Sequence, residues 1–249
     1  RAVVGVDHGI DAAVPRAHEE QRMIELRDIP FSLDAERLMR HLRIQPGTGN
    51  AAAFDELLAR VREVGKPKAV YDICYVEEKA DESVVLNGVR LTSKALRRNL
   101  DPVERVFPYV ATCGTEADAI APAEGDVVQE FWLWTMKEAL LDVATEHLCG
   151  HLTDRYRMTH WASMDPGSGD ADLWPIEQQK ALFAVLGDVE ARIGVRLTDS
   201  MLMVPTMSVS GVVFPTETEF ASCQVCHREG CPRRTASFDE AVWREVCGD

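Results

Sequence analysis

Val84-Val-Leu86 and Val89-Arg-Leu91 are short β-rich runs joined by the two-residue step Asn87-Gly88. Such a step takes positive φ at both central residues and closes a tight antiparallel hairpin. Parallel neighbours need long crossovers instead. A chain with a tight hairpin among interleaved helices is therefore expected to be α+β rather than doubly wound. The expected fold is a single mixed domain, an antiparallel sheet with flanking helices.

Around the hairpin, Asp34 is placed to cap a helix carrying Leu38, Met39 and Leu42. A second helix runs through Phe54, Leu57, Leu58 and Val61 to Gly65. Ala69–Val76 and Val106–Cys113 read as strands. A long helix is expected from Asp126 to about Leu148, ended by Gly150. Its apolar stripe is Val128, Phe131, Trp132, Met136, Ala139, Leu140 and Val143. Met158–Asp172 reads as a Gly-, Asp- and Ser-rich loop. Pro175 suits the first turn of a helix reaching Ile193. Met201–Pro205 and Gly211–Pro215 read as strands around a turn at Ser208-Val-Ser-Gly211, and Asp239–Val246 as a short helix. Three regions follow: an extension over 1–27, an α+β core over 28–215 and a cysteine-rich tail over 216–249.

The 249 residues hold 27 Lys and Arg against 41 Asp and Glu, a net charge of -14. Phosphate contacts need cations, so sequence-independent nucleic-acid binding is not expected, nor is attraction to an anionic membrane surface. No apolar run of about 18 residues is present to span a bilayer. The first residues carry no secretory pattern, so a reducing, cytoplasmic compartment is expected. G-x-S-x-G, Walker and G-x-G-x-x-G patterns are absent, which leaves an independent hydrolase or dehydrogenase without support.

Of seven cysteines, three fall within nine residues: Cys223-Gln-Val-Cys226-His-Arg-Glu-Gly-Cys231. A C-x2-C step lets two thiolates chelate one centre, and Gly230 permits the bend that brings in the third. A [4Fe–4S] cluster and a zinc site both suit such ligands. For the fourth position Cys113, at a strand end, is preferred to Cys247 or the awkwardly placed His227. Arg228, Arg233 and Arg234 either offset thiolate charge or solvate the loop. His147 and His151, four apart on the long helix, are read as structural.

Gly194-Val-Arg-Leu-Thr-Asp-Ser200, the Met-rich strand and Ser208-Val-Ser-Gly211 together resemble the activation domain of cobalamin-dependent methionine synthase. The likeness is nearest to small stand-alone relatives with a cysteine-rich tail. It extends over roughly residues 28–249 and is specific from Asp165 onward. The resemblance implies a domain that holds S-adenosylmethionine above the cobalamin of a partner, so that cob(II)alamin is remethylated. It implies ligand contacts at Asp28, Asp142, Pro166, Gly167, Ser168, Ser208, Ser210 and Gly211. The family loop R-x-x-x-G-Y stands here as Ser163-Met-Asp-Pro-Gly167-Ser168, with Ser in place of both Arg and Tyr. The guanidinium that could fork onto a ligand carboxylate is missing. The implied role is a reactivation factor for a corrinoid protein or methionine synthase core, and an Fe–S centre suits the electron which that role needs. The alternative is a non-catalytic capping subunit of a split methionine synthase with structural zinc.

Overall fold

The computed structural model of the chain describes residues 23–122, 124–169, 173–217, 220–231 and 234–247. Most of the expected extension, together with Pro232 and Arg233 beside the third cysteine, lies outside them. In chain order the elements are β1 (Ile24–Leu26), α1 (Ala35–His41), α2 (Gly49–Val64), β2 (Lys68–Tyr71), β3 (Cys74–Lys79), β4 (Ser83–Leu86), β5 (Val89–Thr92), α3 (Lys94–Asn99), β6 (Arg105–Thr112), α4 (Thr115–Asp118), α5 (Val127–Tyr156), β7 (Trp161–Met164), α6 (Gln179–Leu186), α7 (Val189–Ile193), β8 (Arg196–Leu197), β9 (Met203–Val204), β10 (Ser208–Pro215) and α8 (Glu240–Val246).

One antiparallel sheet organises the molecule, and β6 is its centre. β2 and β3 follow each other along one edge of β6, while β10 takes the other and carries β7 beyond it. β1 extends the sheet past β2, and β3 leads into the β4–β5 hairpin. β8 and β9 form a separate two-stranded sheet. The domain is the expected α+β arrangement.

Helices cover both faces. Alternation along β6 sends Phe107, Tyr109 and Ala111 to α5, where Leu141, Ala144, Leu148 and Leu152 meet them. Val106 and Val110 point the other way, towards Leu182 and Val185 or Leu186 of α6 and Val189 and Ile193 of α7. A third cluster fills the space between α1, α2 and the first turns of α5, with Phe54 edge-on to Trp132 at 6.0 Å. Val225 and Val246 of the cysteine-rich tail are buried in the cluster that holds Trp174 and Phe214. Among the described residues no helix is long and apolar enough to cross a membrane.

Several local expectations are corrected. The Ala69–Val76 run is two strands because the Asp72 side chain accepts from Ile73 N and from Asn87 Nδ2, which turns the chain. α5 passes through Gly150 and ends at Arg157, in the left-handed region at φ 53°. The cost of one helical glycine, about 1 kcal/mol, is offset by burial of Leu148 and Leu152 on either side. Val128 and Phe131 are exposed, at 50% and 58%, so the packed stripe is instead Trp132, Leu133, Met136, Leu140 and Leu141. The helix after Pro175 breaks at Gly187, where φ is 86°, and restarts under an Asp188 cap. Trp161–Met164, expected in a loop, is strand β7. Ser208–Gly211, expected as a turn, is the start of β10, paired with Tyr109–Thr112.

Candidate functional site

β10 and β7 bring the two motif segments side by side. Val213 pairs with Ser163 and Val212 with Met164, so the chain after Met164 passes the Gly211 backbone. A Cβ at Gly211 would stand 1.9 Å from Asp165 Oδ1 and 2.8 Å from Met164 O. Glycine is required here by close approach: the Asp165 carboxylate lies against the strand where a side chain would be. On its other side Tyr109, the β6 neighbour of Gly211, donates its hydroxyl to Asp165 Oδ1 at 2.9 Å. Cys149 of α5 lies close enough for its titration to feel the Asp165 charge.

These groups shift one another. Burial pushes the Asp165 carboxyl up to about 6, and the Tyr109 hydrogen bond only partly restrains it. Burial also raises the Tyr109 phenol well above its ordinary value, and the Asp165 charge adds to it. The Cys149 thiol is pushed up to about 12 by burial, then by Asp165 and Glu146. It is a neutral thiol at physiological pH.

The other expected ligand residues divide. Gly167 sits in the same loop with φ 79°, and a Cβ there would meet Ile176 Cδ1 at 2.4 Å. Pro166 is buried, while Gly167 and Ser168 are exposed. Strand alternation puts Ser208 and Ser210 on the face opposite Gly211. Ser208 Oγ donates to Thr112 Oγ1 and Pro205 O, at 2.9 and 2.7 Å, which ties down the approach to β10. Ser210 Oγ is buried on the α6 side without a hydrogen-bond partner among the described residues. Asp28 is exposed and Asp142 partly buried. Their chain neighbours Ile29 and Leu141 share one apolar cluster under α5. Asp165 and Tyr109 were not anticipated. The signals were an acid beside the Pro166-Gly167 step and a lone tyrosine in a buried strand.

The cysteine segment packs on the same loop. Ser222 Oγ donates to Ser163 O at 2.9 Å, covering the open edge of β7. The position of a Gly169 Cβ would be 3.7 Å from Cys226 Sγ. Arg234 organises the turn from within: its guanidinium donates to the carbonyls of Cys223, Cys226, Arg228 and Ala236 at 2.6–3.1 Å. Burial pushes the Cys223 thiol up, but hydrogen bonds from Thr235 and Ala236 and the Arg234 charge outweigh it and leave it below the ordinary thiol value. His227 stacks on Phe238 at 4.4 Å. Among the described residues no three His, Cys, Asp or Glu side chains converge as a metal site.

Cys113 is not brought to this loop. It is buried among the α2 and α5 residues, with its thiol on the Gly114 carbonyl. The tail meets the sheet at Ser163, level with Val213 and Phe107. Cys113 is six residues further along β6, about 20 Å away. The expectation of Cys113 as fourth ligand is corrected on that geometry. His151 meets the Tyr71 hydroxyl at 3.0 Å, which suits the structural reading made for it.

An antiparallel α+β domain, with a long helix over a sheet whose glycine strand abuts a Pro-Gly loop, defines a fold class. Residues 125–229 match the family described as vitamin B12 dependent methionine synthase, activation domain. The fold is similar to the crystal structure of the MetH reactivation domain bound to AdoHcy, with TM-score 0.55 and 16% identity over 83% of each chain. Among curated proteins none matches.

Proposed function

We propose that the protein is a reactivation factor for a cobalamin protein such as B12-dependent methionine synthase. The observation that carries this reading is the activation-family sequence over 125–229 on a fold shared with a MetH reactivation domain. Restoring methylcobalamin from cob(II)alamin takes one electron and the methyl group of S-adenosylmethionine, and leaves S-adenosylhomocysteine.

The chain's part is to hold the methyl donor at the 165–168 loop, where the chain leaves β7 beside β10. Gly211 and Gly167 keep the backbone close, and Asp165 offers a carboxylate without a cation partner among the described residues. With Ser163 and Ser168 in place of Arg and Tyr, affinity for the donor is lower than a guanidinium-bearing loop would give, or is shifted to a related ligand.

Cys223, Cys226 and Cys231 form the second part of the proposal, as ligands of a [4Fe–4S] centre. Their spacing and the Arg234-centred turn support it. The three thiols do not converge among the described residues. Anaerobic purification with iron, followed by iron, sulfide and zinc analysis, tests it. Zinc alone would make the tail structural and leave a capping subunit.

The decisive experiment mixes the protein with cob(II)alamin-loaded methionine synthase, a reductant and S-adenosylmethionine, and follows the cobalt bands. Loss of the cob(II) bands only when this protein is present is the expected result. Unchanged bands across several corrinoid partners would overturn the reading.

A further inference from the structure

A carboxylate packed against backbone is costly unless something positive meets it. Asp165 is in that position. Its Oδ1 takes the Tyr109 hydroxyl at 2.9 Å and lies where a Gly211 Cβ would be. The groups facing it are Tyr109 from β6, Gly211 from β10 and Cys149 from α5. None of these is a cation. Tyr109 and Cys149 are buried, whereas Asp165 itself is partly exposed, and beyond the buried Pro166 its loop carries the exposed Gly167 and Ser168. The acid is closed from within by Tyr109 and Cys149 and is partly accessible to solvent.

The geometry points to Asp165 as the specificity-determining residue of the ligand site, a carboxylate that receives a cationic centre on the bound ligand. The inference rests on the proposed ligand site and deepens it. A loop bearing a guanidinium would select for an anionic group. This loop has lost that cation and holds an acid against the glycine strand, so it selects for positive charge. For S-adenosylmethionine that charge is the sulfonium, not the amine. S-adenosylhomocysteine shares the amine and lacks the sulfonium, so the pair of ligands separates the two. The raised carboxyl value is in keeping with a site completed by a ligand.

The test is calorimetric, on the full chain with and without a corrinoid partner. The wild type is expected to bind S-adenosylmethionine about tenfold more tightly than S-adenosylhomocysteine, as for a charge-assisted contact. Asp165→Asn, which keeps an oxygen for Tyr109, is expected to bring the two affinities within about threefold. Tyr109→Phe, which leaves the charge in place, is expected to keep the preference. A preference undiminished in Asp165→Asn, or none in the wild type, overturns the role of Asp165 while the ligand site stands. Binding of neither ligand under any condition overturns the ligand site and this inference together.

Discussion

At the scale of single residues, Gly211 and Asp165 are one unit. A methyl at 211 meets the carboxylate at 1.9 Å and the Met164 carbonyl at 2.8 Å. Gly211→Ala is therefore expected to cost about 2–3 kcal/mol, as for an overpacked site. Adding Asp165→Ala should return part of that loss, not all, because the carbonyl remains. A double-mutant cycle by urea unfolding measures the coupling. Asp165 also links stability to pH. Its folded value of about 6 lies above the ~3.9 of an unfolded aspartate. The folded protein thus holds this proton more tightly, a contribution complete below about pH 4 and lost as pH rises through about 6. Two units correspond to about 3 kcal/mol, which partial exposure reduces to about 1–2 kcal/mol. Asp165→Asn should be more stable than wild type at pH 8 by that amount and equal to it near pH 4. Urea titrations at the two pH values check the sign.

At the scale of elements, the cysteine turn is held by one side chain. Arg234 bonds four carbonyls from Cys223 to Ala236, and no other residue type presents so many donors in one plane. Arg234→Gln is expected to speed amide exchange across residues 223–231 by about tenfold or more. Amides of β6 and β10 should be little changed, because Val225 and Val246 still anchor the tail in the core. Hydrogen-exchange mass spectrometry resolves the two regions. Elements were legible where one local rule governed them. Asn87-Gly88 takes the two positive φ values that its hairpin needs, and Asp34 caps α1 through Arg37 N. β7 was not legible, since Trp161-Ala-Ser-Met164 is a strand only by virtue of the β10 edge beside it.

At the scale of the whole molecule, the net charge of -14 should act on encounter with a partner. A transient complex with a more basic corrinoid domain is expected, and its affinity should fall several-fold between about 50 and 300 mM salt as screening shortens to below about 10 Å. Sedimentation or calorimetry across that range checks it. An affinity independent of salt would mean that apolar contact, not charge, drives association.

The fold class and the resemblance followed from the sequence alone, because hairpin chemistry, caps and short motifs are local and need no knowledge of distant neighbours. The motif Ser208-Val-Ser-Gly211 marked the strand and its glycine, but not the face that each of its residues takes. Alternation along β10 sends its serines to one face and its glycine to the other, which becomes visible only once the register with β6 is set. The cysteine spacing marked the tail, while the separation of Cys113 from it depends on which strands lie between them. Tyr109 and Asp165 are 56 positions apart, and only the pairing of β6, β10 and β7 makes them neighbours. Contact between such distant positions is a property of sheet order, which tertiary packing decides.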